Sequence, residues 1–374
     1  MTIHWVSGVV DCSPREAGFD PSRLKRLEAV FENLIGQGKA QAASYALSRH
    51  GRLFASRSIG PLRPGARESM QAGTWRKIAS MTKVLTALGI LKCVEEGRLL
   101  MEMPVSHILP EFGSSQGGNL YLHQILAHTS GLAADPGYKA EANPDHQGFW
   151  RILEEKDWLE RVARLPREHA PGEAWSYSTV GYALLGEIIA RVTGEPYYRW
   201  MEREILLPLG LAETFFDPGP RPLENVCVVS ERESEMLAKR GENLTRPFLA
   251  AGGAFSTCED MIKLGGFFLK RGTVEGRRVL GATTLAAMHS IQVQVPAIHW
   301  GDRFPDWRYG LGLEPARHPL IRPGAVWGHE GAGRCAFWFD PQEEFVAAWT
   351  LPTTLDWDPD FCWTPRAILW SGLL

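Results

Sequence analysis

Ser80 and Lys83 stand three residues apart at the start of a predicted helix. Residues 78–83 read IASMTK, and the apolar residues that follow recur at helical spacing. Residues three apart share a helix face, so the Lys83 amine can reach the Ser80 hydroxyl and take its proton. The backbone N–H groups at a helix N-terminus suit an oxyanion. Ser-x-x-Lys occurs often by chance, so the pair by itself favours an N-cap serine followed by a solvated lysine.

Tyr177 lies in a second segment, residues 171–179, which reads PGEAWSYST ahead of another helical pattern. A loop before a helix is a common place for a functional side chain. The alternative is a structural one: the Tyr177 ring packs in the core, and Ser178 or Thr179 caps the helix.

His329 lies in a third segment, residues 327–333, which reads WGHEGAG on a predicted strand. Gly331 and Gly333 would let a ligand lie close along the strand. A bulge or turn between two strands, with His329 half exposed, is the structural alternative.

The elements that carry these segments predict an α+β fold. Two apolar-rich runs at 43–49 and 52–58 flank His50-Gly51 as a hairpin, and short β-prone runs occupy 325–328, 336–340 and 345–351. Helical periodicity opens the chain at 20–35 and dominates between residues 78 and 270. We expect an antiparallel sheet flanked by helices, formed by residues 1–77 and 271–374, and a mostly helical inserted domain, 78–270. The active site would lie in the crevice between them.

Composition argues against several partners. The 40 Lys and Arg balance 43 Asp and Glu, for a net charge of -3, so nucleic acid is not expected. No apolar run is long enough to span a bilayer, and no basic, apolar leader opens the chain, so we expect a cytoplasmic protein with no membrane contact. The six cysteines are scattered without a CxxC pair. Reduced thiols, no metal and no cofactor are expected.

Three other patterns resemble functional motifs but lack the flanking elements that those motifs require. Ser115 sits in Gly-x-Ser-x-Gly, but no strand and helix flank it as an α/β-hydrolase elbow requires. The glycines at 331–333 imitate a dinucleotide fingerprint, but a β-prone run follows instead of a helix. Asp356, Asp358 and Asp360 lack the rest of a calcium loop and fit a turn that caps a final helix from about residue 364.

Taken together, the three segments carry a family pattern. Ser-x-x-Lys, Tyr-Ser-x and His-x-Gly follow in this order, 97 and then 152 residues apart. The sequence resembles the serine β-lactamase and penicillin-binding superfamily, especially its class C β-lactamase, D,D-carboxypeptidase and family VIII carboxylesterase branches. Further points of likeness are residues 126–132 (LAHTSGL), 181–186, 208–211, 251–257 and 309–312.

The resemblance implies the β-lactamase/transpeptidase-like fold and an acyl-enzyme mechanism. Ser80 would attack an acyl carbonyl, and Lys83 and Tyr177 would transfer the proton of the Ser80 hydroxyl. The backbone N–H groups of Ser80 and Ala332 would bind the oxyanion. Either proton carrier needs a pKa shift of roughly three units, about 4 kcal/mol, to act as a base near neutrality. The sequence leaves open which of the two holds the proton at rest.

Two departures from the family pattern bear on the substrate. Thr179 replaces the Asn that β-lactamases usually carry, and a hydroxyl lacks the paired donor and acceptor of a carboxamide. His329 replaces a Lys that would meet a β-lactam carboxylate, although Arg334 could restore that charge. Trp175 and Trp327, beside two of the motifs, could form an apolar acyl pocket. The residues expected to bind substrate are Thr179, His329, Gly331, Arg334, Trp175 and Trp327.

A carboxylesterase for small-molecule acyl esters is therefore the expected function. The alternatives are a β-lactamase or a D,D-peptidase or D-aminopeptidase-like amide hydrolase. An acyl transferase, and a penicillin-binding sensor with little turnover, also stay open. The oligomeric state is not predicted.

Overall fold

The computed structural model describes residues 4–113, 119–135, 152–219, 221–239, 241–298, 305–317, 324–355 and 358–374. Ser115 and Asp356 lie outside these ranges.

The strands of the described chain are mostly short, and the longer ones come from its two ends. They are β1 Val6–Ser7, β2 Ala43–Arg49, β3 Arg52–Ile59, β4 Trp75–Lys77, β5 Trp175–Ser176, β6 Val226–Cys227, β7 Phe255–Ser256, β8 Thr273–Val274, β9 Arg277–Arg278, β10 Val293–Val295, β11 Ala297–Ile298, β12 Trp307–Tyr309, β13 Glu314–Pro315, β14 Trp327–Gly331, β15 Cys335–Asp340 and β16 Phe345–Thr350.

The helices are concentrated between these two groups of strands. They are α1 Pro21–Gly36, α2 Thr82–Glu95, α3 Leu122–Leu126, α4 Trp158–Arg164, α5 Thr179–Thr193, α6 Tyr197–Met201, α7 Glu231–Ala238, α8 Leu249–Gly252, α9 Cys258–Leu269, α10 Ala282–Met288 and α11 Pro359–Trp370. None of them is long and apolar enough to cross a membrane.

A seven-stranded sheet joins the two ends of the chain in the order β1-β3-β2-β16-β15-β14-β13. All of its neighbouring strands are antiparallel. The hairpin turn at His50-Gly51 has positive φ at both residues, as a tight two-residue connection requires. The predicted hairpin, the predicted C-terminal strands and the α+β fold class are thus confirmed.

Two hydrophobic cores cover the two faces of this sheet. On one face, α1 and α11 pack together and bury Phe31, Trp338 and Phe361. On the other face, α9 packs against β15 and β16, and the same core continues into the group formed by α2, α5 and α8. The division of the chain at residues 78 and 270 stays a prediction; α9, on the helical side of that division, lies directly on the sheet.

Helix ends follow local capping chemistry. Ser178 accepts a hydrogen bond from the N–H of Gly181 and caps α5, as the structural alternative for this segment expected. Asp358 caps α11, which begins at Pro359 rather than near residue 364. The six cysteines are each buried and form no disulfide with one another.

Close packing of α9 on β16 depends on Gly265. A Cβ at this position would lie 2.2 Å from Val346 Cγ1. We expect Gly265→Ala to destabilise the protein by about 1–3 kcal/mol, because the helix and strand must move apart. The neighbouring Gly266 has no atom within 4 Å of its Cβ position, so Gly266→Ala should be neutral or stabilise by up to about 1 kcal/mol. Urea unfolding of both variants tests this, and equal effects of the two would contradict it.

Candidate active site

A single 3-10 turn, Ala79–Met81, carries Ser80 and leads directly into α2. Ala79 has a φ of 45°, a strained backbone conformation for a residue with a side chain. The turn is anchored on both sides of Ile78, whose N–H donates to Ala254 O at 2.9 Å and whose carbonyl accepts from Cys335 Sγ at 3.2 Å. The nucleophile candidate is therefore held by its backbone.

Lys83 is completely buried next to Ser80. Its Nζ lies 3.3 Å from Ser80 Oγ, 3.3 Å from Thr179 Oγ1 and 2.9 Å from the carbonyl oxygen of Ala251. Burial lowers the pKa of Lys83 to about 8, and the negative charge of Asp135 opposes part of that shift. A substantial fraction of amines with this pKa is neutral near pH 7 and can accept a proton.

Tyr177 completes the group around Ser80. The Lys83 ammonium lies 4.8 Å from the centre of the Tyr177 ring. The phenol hydroxyl shares a side-chain hydrogen bond with Ser80, yet loss of water around it and the charge of Asp135 raise its pKa well above the usual value. Tyr177 therefore keeps its proton while Lys83 is the easier group to deprotonate. Ser80, Lys83 and Tyr177 are brought together as the sequence predicted.

Asp135 belongs to this group, although sequence reasoning missed it. Its Oδ2 accepts the Thr179 hydroxyl at 2.8 Å, and its Oδ1 accepts the Thr179 N–H at 3.0 Å. Its own N–H donates to Tyr177 O at 2.7 Å. Asp135 thus orients Thr179 so that the threonine oxygen accepts from Lys83. In the sequence it looks like an ordinary loop aspartate before a proline, and no local pattern marks the contact.

His128 is a second residue whose role was missed, although it lies in the 126–132 segment that carried the family resemblance. Its Nδ1 accepts the N–H of Ser178 at 3.1 Å, and its ring lies 4.4 Å from that of Tyr177. Burial and then the charge of Lys83 hold its pKa well below the usual value. The ring is therefore neutral, as an accepting Nδ1 requires, and it positions the loop that carries Tyr177.

Strand β14 approaches the Ser80 turn through Gly331. A Cβ on Gly331 would lie 2.4 Å from the carbonyl oxygen of Ile78, so only glycine allows this contact. The exposed residue Ala332 follows in the turn to β15, and its role as an oxyanion donor stays a prediction. His329 is buried on β14, with its ring 6.3 Å from that of Tyr177. Burial, reinforced by Lys83, lowers the pKa of His329 to about 3, so it supplies no cation.

The two tryptophans predicted to form an acyl pocket have different surroundings. Trp175 lies 6.0 Å from Tyr177 and 4.5 Å from Trp307, ring centre to ring centre, in an aromatic cluster beside the site. Trp327 belongs to the main core, and its Nε1 donates to Gly324 O.

The Arg334 side chain contacts the C-terminal part of the chain. Its Nη2 donates to Leu355 O at 2.6 Å, and its guanidinium stands 5.8 Å from the ring of Phe361 in α11. The side chain is thus directed toward the C-terminal segment. Its contacts do not support the suggestion that it replaces the missing lysine charge.

Comparison with known proteins agrees with this geometry. A family model described as Beta-lactamase matches residues 27–366. The chain belongs to the β-lactamase family. The Burkholderia gladioli esterase EstB is 31% identical over 204 residues, 52% of each chain, so the match spans about half of that relative. The D-alanyl-D-alanine-carboxypeptidase/endopeptidase AmpH of Escherichia coli K12 is 28% identical over 239 residues, 61% of this chain and 57% of AmpH.

Solved structures show the same fold over nearly the whole chain. EstCE1, described as a hydrolase with promiscuous acyltransferase activity, superposes with a TM-score of 0.77 at 20% identity, over 93% of this chain and 98% of its own. A family VIII carboxylesterase gives a TM-score of 0.74 at 18% identity, over 99% and 100% of the two chains. At these identities the likeness establishes the fold.

The charge of Asp135 should shift the pH dependence of Ser80 acylation. Lys83 accepts a proton only when it is neutral, so the rate should rise with pH with an apparent pKa near 8. Asp135→Asn removes a charge that raises this pKa, and the profile should move to lower pH by about one unit. The measurement is kcat/KM against pH with p-nitrophenyl acetate, a generic acyl donor. Asp157→Asn, at an exposed aspartate that precedes α4, is the control. An unmoved profile in Asp135→Asn would contradict this electrostatic role.

Proposed function

We propose that the protein is a serine hydrolase that acts through an acyl-enzyme, with carboxylic esters of small molecules as its preferred substrates. The observation that carries the proposal is the buried Lys83 amine, 3.3 Å from Ser80 Oγ, with a pKa of about 8. Near pH 7 about one such lysine in ten is neutral, compared with fewer than one in a thousand at the reference pKa. Burial thus supplies about 3 kcal/mol toward forming the base.

In the first half of the reaction Ser80 forms a bond to the acyl carbon while its proton passes to Lys83. The oxyanion is held by the N–H groups of Ser80 and Ala332. When the bond to the leaving alcohol breaks, the alkoxide takes the Tyr177 proton, and Lys83 returns a proton to the Tyr177 oxygen. Tyr177 suits this acid role because its pKa is raised and its hydroxyl already interacts with Ser80. In the second half, water attacks the acyl carbon while its proton passes to Lys83. The bond to Ser80 breaks, Ser80 takes the Tyr177 proton, Lys83 returns a proton to Tyr177, and the carboxylic acid is released.

The preference for esters over amides rests on two side chains. Thr179 Oγ1 gives its only proton to Asp135 and accepts from Lys83, so it has no donor left for the carbonyl oxygen of a substrate amide. His329 is neutral, which leaves the site without the cation that a β-lactam or peptide carboxylate would meet on β14. A simple ester needs neither partner. The relative EstB is named an esterase, which agrees with this preference.

Amide hydrolysis is the second candidate, because AmpH, a carboxypeptidase and endopeptidase by name, matches a similar share of the chain. Acyl transfer to another alcohol or amine is a third, in line with the promiscuous acyltransferase activity ascribed to EstCE1. A penicillin-binding sensor would also use Ser80 but would stop after one acylation. The cytoplasmic location stays a prediction.

A substrate panel with Ser80→Ala tests the proposal. Wild-type protein should turn over p-nitrophenyl butyrate faster than nitrocefin or a D-alanyl-D-alanine peptide. Ser80→Ala should lose about 10³-fold or more in kcat, because the covalent step disappears. Ser290→Ala, at an exposed serine, is the matched control.

The alternatives have distinct signatures in the same panel. Equal rates for wild type and Ser80→Ala would refute the mechanism, and a clear preference for the peptide would refute the ester assignment. A single stoichiometric burst from nitrocefin and from the ester indicates a sensor. Ester products formed with added alcohols indicate acyl transfer.

A further inference from the structure

A cavity of about 210 Å³ lies between β4, β7, α7 and α8, outside the catalytic group. It is larger than the apolar cavity of about 150 Å³ that takes up benzene in an engineered protein. Its walls are mostly apolar. They include Leu153, Phe216, Met236, Leu244, Phe248 and Phe255.

The cavity lies close to Ser80 and to Ala332. Lys77, which lines it, precedes Ser80 by three residues, a separation that spans at most about 11 Å of chain. Arg76 also lines it, and Arg76 Nη2 would lie 2.9 Å from a Cβ on Gly333, the residue after Ala332. A substrate with its carbonyl at the proposed oxyanion donors could therefore extend one of its arms into the cavity.

Lys77 is a cation of this cavity that has no ion-pair partner among the described residues. Its Nζ lies 5.4 Å from the centre of the Phe248 ring. Within the described parts of the chain, no acceptor lies at hydrogen-bond or ion-pair distance from it. The nearby Glu233 uses both carboxylate oxygens on Arg76, and one of them also accepts the Val229 N–H.

This environment favours an anionic ligand. Lys77 is partly exposed at the edge of the cavity, so its ammonium group can offer three donors to a bound ligand. Loss of water around the side chain lowers the pKa of Lys77. Of the other cations that line the cavity, Arg76 is paired with Glu233, Arg246 faces Glu154 at 4.0 Å, and Lys239 has an interaction of its own. A carboxylate on an apolar chain would fill the cavity and give Lys77 its acceptor.

We propose that this cavity binds an apolar arm of the substrate and that Lys77 binds a carboxylate carried on that arm. Resting on the proposed ester hydrolysis, the inference names the substrate class as esters that keep a free carboxylate on a medium-length apolar chain. Lys77 acts here as a specificity-determining residue.

Direct binding tests the site without any turnover. Octanoate and 1-octanol have the same chain but differ in charge, and titration calorimetry measures both against wild-type protein. Octanoate should bind about tenfold more tightly than the alcohol, Lys77→Met should remove that difference, and Lys77→Arg should keep most of it. Lys25→Met, at an exposed lysine on α1, is the control. Octanoate binding that is unchanged in Lys77→Met, with a melting temperature like that of the wild type, would overturn the proposal.

Kinetics then connect the cavity with catalysis. Mono-p-nitrophenyl adipate and p-nitrophenyl hexanoate present acyl chains of equal length, with and without a terminal carboxylate. The adipate hemi-ester should have a KM about tenfold lower, and Lys77→Met should raise that KM while kcat for both esters stays within about twofold. The octyl and ω-carboxyheptyl esters of acetic acid test the alcohol arm in the same way.

The outcomes separate this inference from the proposed function. Turnover of both esters with no preference on either arm would overturn the carboxylate site and leave ester hydrolysis standing. Absence of ester turnover, together with octanoate binding that depends on Lys77, would overturn the proposed function and support the site.

Discussion

The burial of Lys83 is the interaction on which the rest of the site depends. Burying a lysine amine costs free energy unless the amine is neutral or surrounded by hydrogen-bond acceptors. Three oxygens surround Lys83 Nζ, from Ser80, Thr179 and Ala251. They come from the turn before α2, the start of α5 and the short helix α8. Helix packing in the main core therefore controls the protonation of the proposed base.

Asp135 balances this burial. Without a nearby negative charge, the Lys83 pKa would fall further and the amine would lose its ability to hold the proton taken from Ser80. The same carboxylate raises the pKa of Tyr177. The Asp135 charge thus favours the protonated form of both Lys83 and Tyr177. Burial lowers the pKa of an amine and raises that of a phenol, so Lys83 gives up its proton more easily than Tyr177. His128 and His329 are neutral neighbours, so they add no competing cation.

The sheet contributes by bringing β14 against the Ser80 turn. The strand order places the C-terminal strands β15 and β16 between β14 and the N-terminal hairpin. The position of β14, which precedes the proposed oxyanion donor Ala332, therefore depends on pairing between the two chain ends. Gly331 permits the contact of β14 with Ile78, and Gly265 permits the close packing of α9 against the sheet. These are steric requirements that a single methyl group would violate.

The sequence by itself determined the family, the α+β class, the hairpin at His50-Gly51 and the grouping of Ser80, Lys83 and Tyr177. Each of these has a local signature, either a motif at fixed spacing or a periodicity of apolar residues. Local signals also placed the helices, but with shifted ends, as for α11, because the capping geometry at Asp358 outweighs the apolar pattern.

Only the tertiary structure decided which distant side chains share the site and with what charge. Asp135 meets Thr179 from 44 positions away, and Arg334 turns toward Leu355 although it follows the third motif directly. The order of the Lys83 and Tyr177 pKa values likewise depends on burial. Contacts between segments far apart in the chain leave no periodic trace in either segment, and the loss of water around a group is a property of the packed core.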